Sequence, residues 1–290
     1  LASEFLIVHW AAPCEEQFEV TVALSSRLPG EYSCPSDTRA DLGQLLVERD
    51  NSVEAEPWFR AAAMLNDAQA MSNLGTLLAD RRDEAEAELW FRAASALGEV
   101  NAMFNLGLLL EQQRKTEAER WYRTAAELGL PDAMNNLGRI QAQRGQEREA
   151  ERWLRAAVAV NCPPAMNNLG ILVSTQGDLE EAGRLFRAAA ASGDDDAMNN
   201  LGAWQAQQGH TAEAERSFRA AANRGHVSAM VNLGDLLRQR GDRREAERWY
   251  RAAGQADDTG AIDRLGEMSS EHESERLASL VEHGCVSEKE

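Results

Sequence analysis

An asparagine stands before a Leu-Gly dipeptide at six places along the chain: Asn73, Asn105, Asn136, Asn168, Asn200 and Asn232. A primary amide carries two donors and an acceptor, so it can pair with a peptide unit whatever side chain that unit bears. Asparagine is a mediocre helix former, and its return in six consecutive units points to a side chain that is used. Seven residues further on stand Gln112, Gln143, Gln207 and Gln239, with Asp80 and Thr175 in the other two units. The residue after each Leu-Gly varies: Thr76, Leu108, Arg139, Ile171, Ala203 and Asp235. The chemistry such a set supports is recognition, with amides pairing to a backbone and the variable neighbours supplying selectivity. A second reading stays open, in which the asparagines bridge adjacent units through hydrogen bonds of their own.

Catalytic chemistry finds no comparable pattern. His9, His210, His226, His272 and His283 are dispersed, and none sits in H-E-x-x-H or opposite a matched nucleophile. There is no P-loop and no dinucleotide fingerprint, so neither an enzyme nor a cofactor is expected. Cys14, Cys34, Cys162 and Cys285 form no C-x-x-C pair and have no histidine at zinc spacing, which suits incidental thiols in a cytoplasmic protein. The chain has 48 acidic residues against 30 basic ones, a net charge of -18 that argues against nucleic acid or an anionic membrane as partner. No apolar run is long enough to span a membrane. The short one in Leu1–Pro13 is interrupted by Glu4 and has no basic flank, so it is not a signal peptide.

The elements that must position the amides follow from a repeat. The Leu-Gly glycines lie at 43, 75, 107, 138, 170, 202, 234 and 266, at steps of 32 with a single 31. Each unit reads as two helices. The first runs through Leu-Gly to a turn glycine (Gly145, Gly177, Gly209, Gly241), and the second stops near Gly98, Gly129, Gly193 or Gly225. At 100° per residue, Met134, Leu137, Gly138 and Gln141 fall on the buried arc of one first helix. Asp132, Arg139 and Gln143 lie on the other side, with Asn136 at the border. The helical glycines imply a close crossing by the second helix, with the alanines at 87, 118, 150, 182, 214 and 246 facing it. The tryptophans at 58, 90, 121, 153 and 249, with their aromatic neighbours, are expected to fill the space between layers. Glu56, Glu88, Glu119, Glu151, Glu215 and Glu247 each precede an arginine by four residues, the favourable order for pairing on a solvated helix face. Pro57 should shorten or kink the second helix of the first unit.

Ala133-Met-Asn-Asn-Leu-Gly138, a turn glycine, then Glu149-Ala-Glu-Arg-Trp-Leu-Arg-Ala-Ala157 resembles the tetratricopeptide (TPR) and Sel1-like repeat families. The first helix looks like a TPR; the junction from Trp121-Tyr-Arg-Thr-Ala-Ala126 through Gly129 to Ala133 is closer to Sel1, without the Sel1 insertion between helices. The resemblance covers residues from about 38 to 284. It implies an all-α, right-handed superhelical solenoid of seven complete units plus a degenerate C-terminal cap, with the first helices lining the concave face. The asparagine row resembles the asparagine ladder in the TPR region of the O-linked N-acetylglucosamine transferase, which holds the backbone of an extended peptide. The implied function is a non-catalytic scaffold for a protein or extended peptide. The alternative is a sensor or oligomerisation arm of a larger bacterial signalling or defence protein, and self-association is left open.

Residues 1–37 stand outside the repeat. Glu4–Trp10 and Gln17–Leu24 are rich in branched and aromatic residues and read as strands, either a small hairpin or the tail of an upstream domain. The repeat array then occupies residues 38–268. Residues 269–290, with Glu271, Glu273, Glu275 and Glu282, read as a polar capping helix and tail.

Overall fold

The computed structural model describes residues 5–11, 17–23, 36–49, 51–256 and 258–282. The chain divides into two compact units, Leu1–Leu130 and Pro131–Glu290. In the first, β1 (Phe5–Ala11) and β2 (Gln17–Ala23) pair antiparallel, from Phe5 opposite Ala23 to Ala11 opposite Gln17. Three helix pairs follow: α1 (Ser36–Glu48) with α2 (Ser52–Ala63), α3 (Ala68–Asp80) with α4 (Glu84–Ala96), and α5 (Val100–Gln112) with α6 (Ala118–Glu127). The second unit holds four pairs: α7 (Pro131–Gln143) with α8 (Glu147–Ala159), α9 (Pro163–Thr175) with α10 (Leu179–Ala191), α11 (Asp195–Gln207) with α12 (Thr211–Asn223), and α13 (Val227–Arg240) with α14 (Arg243–Gln255). A long helix, α15 (Thr259–Glu282), ends the described chain. No described helix is long and apolar enough to cross a membrane.

The Leu-Gly glycines explain how each pair closes. A Cβ on Gly75 would stand 2.7 Å from the Phe91 ring, and one on Gly107 2.7 Å from the Tyr122 ring. In the second unit Gly170 meets Phe186, Gly202 meets Phe218 and Gly234 meets Tyr250 in the same way, while Gly138 meets Leu154. The residue seated on the glycine is thus the one after the tryptophan position, a correction to the expected alanine contact. The alanines at that crossing are buried as well, Ala87, Ala150, Ala182, Ala214 and Ala246 completely. The tryptophans are less uniform than expected: Trp58 and Trp153 are buried, whereas Trp90, Trp121 and Trp249 keep an exposed edge. An indole is too large to enter the crossing that a ring over glycine already fills.

Other expectations meet the structure here. The turns inside the second unit place Gly145, Gly177, Gly209 and Gly241 at φ of 73° to 94°, the left-handed region where only glycine carries no Cβ penalty. Helix α2 runs unbroken through Pro57, over 12 residues against 13 in α4, because the missing N–H would meet a carbonyl in an exposed first turn. The eighth unit is a single helix rather than a pair. Gly266 accordingly has nothing within 4 Å of its Cβ position. Of the cysteines, Cys162 is a buried free thiol that burial pushes up in pKa; Cys14, Cys34 and Cys285 lie outside the described residues.

Candidate ligand-binding face of the first helices

The asparagine row lies half-buried along the first helices, at the edge of the face set by the buried leucines that follow it. In the second unit the row is tied from repeat to repeat. Asn168 Nδ2 donates to Asn135 Oδ1 at 2.8 Å, Asn200 to Asn167 at 2.9 Å, and Asn232 to Asn199 at 2.8 Å. The acceptors are the residues just before the row. Along the chain this position holds Ser72, Phe104, Asn135, Asn167, Asn199 and Val231, yet Asn135 and Asn167 are buried, with 9% and 6% of their surface exposed. Their recurrence in three successive units, Asn135, Asn167 and Asn199, was the available signal. An amide buried at the helix–helix seam needs a partner, and the next unit's row supplies the donor.

The first unit uses a different acceptor. Asn73 donates to Gln44 at 3.5 Å and Asn105 to Thr76 at 3.3 Å, both on exposed residues that follow a Leu-Gly. Here Ser72 and Phe104 occupy the position before the row, and neither offers an amide oxygen. The same post-glycine position is used at the end of the second unit, where Asp235 accepts from Arg264 Nε at 2.8 Å and from the Tyr250 hydroxyl at 2.7 Å. Arg264 stands where the earlier units have the row asparagine.

Each tie uses one amide proton of the row. The Oδ1 and second Nδ2 proton of Asn168, Asn200 and Asn232 take no side-chain partner among the described residues. The ties fix the side-chain rotamer, so those atoms are held in place. The glutamine row is open: Gln112, Gln143, Gln207 and Gln239 are exposed and make no described hydrogen bond. Arg139 is half-buried, Ile171 is exposed, and Asp235 is engaged by Arg264 and Tyr250. The first-helix face thus offers amides at two depths, a pinned inner row and a free outer one.

The second helices carry charge of another kind. All six expected Glu–Arg pairs form, among them Arg60–Glu56 at 2.8 Å, Arg155–Glu151 at 2.9 Å and Arg219–Glu215 at 2.8 Å. Four of these arginines also reach the following repeat: Arg60–Glu86 at 2.6 Å, Arg92–Glu117 at 3.1 Å, Arg155–Glu181 at 2.8 Å and Arg219–Glu245 at 2.7 Å. The Arg60, Arg155 and Arg219 guanidiniums hold Glu86, Glu181 and Glu245 below the usual carboxylate range. What reads in the sequence as a within-helix pair is a clamp between repeats.

His226 does more than polarise a loop. Its Nδ1 accepts from Ala229 N at 3.1 Å, capping α13, and its Nε2 lies 2.9 Å from Asp196. Among the described residues no group of three or more His, Cys, Asp or Glu could hold a metal ion.

Known proteins show the same architecture. A family model described as "Tetratricopeptide repeat" matches residues 68–99 and 226–253, and a second of that description matches residues 108–165 and 135–197. One described as "Sel1 repeat" matches residues 41–67. A Sel1 repeat protein from Oxalobacter formigenes is 25% identical with a TM-score of 0.67, over 75% of this chain and 99% of that one. A protective antigen from uropathogenic Escherichia coli is 23% identical with a TM-score of 0.61, over 80% of this chain. The matched part is 56% of that antigen's length. A tetratricopeptide repeat protein from Parabacteroides merdae is 18% identical with a TM-score of 0.57, over 81% of this chain and 98% of that one. No curated protein matches the sequence. With tetratricopeptide models matching more than half of its length and a Sel1 model its first helix pair, the chain belongs to the tetratricopeptide and Sel1-like repeat family, a family of scaffolds that typically mediate protein interactions.

Proposed function

We propose that the chain is a non-catalytic scaffold that binds an extended segment of a protein partner along its first helices. The observation that carries this reading is the double amide row of the second unit. Asn168, Asn200 and Asn232 are pinned by one proton each; Gln207 and Gln239 stand exposed on the helices of the last two, and Gln143 stands exposed on α7. An extended strand offers one N–H and one C=O per residue, and amides at a fixed spacing can pair with both. Holding the amides in place beforehand lowers the ordering cost of binding.

The test is to select peptides from a displayed library at high salt and compare their affinity for wild type and for Gln143→Ala/Gln207→Ala/Gln239→Ala. The three glutamines make no described contact, so the melting temperature should stay within about 1 °C. Affinity should fall at least about tenfold, since each lost hydrogen bond is worth about 0.5–1.5 kcal/mol. Undiminished affinity in the triple variant would contradict the reading.

A further inference from the structure

The second helices of unit 2 carry two rows of arginines with opposite fates. Arg155 and Arg219 each hold two carboxylates. Three residues earlier runs a second row, Arg152 in α8, Arg184 in α10, Arg216 in α12 and Arg248 in α14, at steps of 32. All four are exposed, and none has a carboxylate within ion-pair distance among the described residues. Glu181 and Glu245 feel the charges of Arg184 and Arg248, but their oxygens are held by Arg155 and Arg219.

A break in the clamp enlarges this row. In α10, Gly183 stands where α8 has Glu151 and α12 has Glu215, so Arg187 has lost its intrahelical partner. Trp204 of α11 fills the vacated space, with its ring 2.5 Å from where a Gly183 Cβ would be. Its Nε1 donates to the Leu179 carbonyl at 2.8 Å. The Arg187 guanidinium lies 5.0 Å over that ring, and Arg152 lies 5.3 Å over Trp153. An arginine stacked on an indole keeps its N–H edge free for an anion.

We propose that Arg152, Arg184, Arg187, Arg216 and Arg248 form a docking stripe for an acidic polypeptide segment with apolar residues between its carboxylates. Charge complementarity selects the acid, because these guanidiniums are exposed and hold no carboxylate among the described residues, while Glu151, Glu181, Glu215 and Glu245 are held by Arg155 and Arg219. The spacing selects a polypeptide over a uniform polyanion. Exposed Glu149, Glu180 and Glu213 precede the arginines on the same helix faces, and an unbroken phosphate chain would meet them. The surface between the arginines selects apolar spacers. Ala156, Ala188, Ala220 and Ala252 lie one turn beyond each arginine, and a depression of about 380 Å³ opens between Arg248, Trp249, Ala252 and the Arg219–Glu245 pair. The stripe lies on other helices than the amide rows and stands or falls apart from them.

The probe is a fluorescein-labelled peptide of repeated Glu-Glu-Leu, with its Gln-Gln-Leu counterpart, titrated by fluorescence polarisation at low and high salt. Wild type should bind the acidic peptide, lose it as salt rises, and ignore the glutamine peptide. Arg184→Gln/Arg187→Gln/Arg216→Gln should weaken binding about tenfold, at about twofold per exposed ion pair, and lower the melting temperature by no more than about 2 °C through the lost Arg187–Trp204 stack. The control Arg49→Gln/Arg82→Gln/Arg114→Gln removes equal charge from the first unit and should cost less than about twofold. Equal losses in both variants, or no binding by wild type, would overturn the stripe. Competition by single-stranded DNA as strong as by the acidic peptide would overturn the polypeptide assignment.

Discussion

The two units solve the same packing problem with different polar parts. In both, a ring or leucine of the second helix sits on the Leu-Gly glycine of the first, and that contact does not vary from Gly43–Phe59 to Gly234–Tyr250. The ties between first helices do vary. Unit 1 links Asn73 and Asn105 to exposed side chains at 3.3 to 3.5 Å, while unit 2 links Asn168 and Asn200 to buried asparagines and Asn232 to a half-buried one, at 2.8 to 2.9 Å. The turns differ as well: Arg82 and Arg114 adopt φ of 64° and 55° in unit 1 where unit 2 has glycines. Apolar contacts set the repeat, and the polar ladder is a local choice made on top of it.

The largest effect should be common to both units. Gly75→Ala and Gly170→Ala each place a Cβ within 2.7 Å of a phenylalanine ring and should cost about 2 kcal/mol in urea titrations. Gly266→Ala, with open space around it, should be neutral or stabilising by up to about 1 kcal/mol. A loss at Gly266 equal to that at Gly170 would show that the ring contact is not what the glycine serves.

The ladder should separate the units. Asn167→Ala removes the acceptor from Asn200 at a site only 6% exposed, and should cost about 1–2 kcal/mol. Asn105→Ala in unit 1 loses an exposed 3.3 Å contact and should cost under about 0.5 kcal/mol. Comparable losses would erase the distinction between the two ladders. At the turns, Gly177→Ala at φ 94° should cost about 1 kcal/mol. Arg114→Gly should be neutral or stabilising by up to about 1 kcal/mol, as the relief of its left-handed φ is partly offset by the freedom glycine adds to the unfolded chain.

The smallest effect is shared and depends on pH. Arg60, Arg155 and Arg219 lower the carboxyls of Glu86, Glu181 and Glu245 from 4.5 in the folded state. Because the folded values are depressed, this contribution is present above about pH 4.5 and is lost as pH falls through the lowered values. Stability should therefore decline on the acid side of about pH 4.5, and replacing these three glutamates by glutamine should flatten that decline. Each pair is partly exposed, so the individual terms should be a few tenths of a kcal/mol.

Nearly all of the architecture was legible because a repeat multiplies the evidence. Seven helix pairs, their turn glycines and the intrahelical Glu–Arg pairs all follow from one period. The harder parts involve relations between repeats, which a one-unit helix wheel does not contain. Asn135 carries no signal within its own unit because its partner, Asn168, is 33 residues away. The clamp from Arg155 to Glu181 spans 26 residues and was likewise hidden behind the nearer Glu151. Trp204 is the hardest case. Its role depends on Gly183 having no side chain, an absence in one helix answered by a ring in another.

The most direct measurement of the ligand face is photo-crosslinking of a neutral peptide, selected at high salt and carrying a benzophenone, followed by mass mapping of the attachment sites. Attachment should fall within residues 131–143, 163–175, 195–207 and 227–240, the first helices of the second unit. Attachment confined to the second helices would contradict that placement.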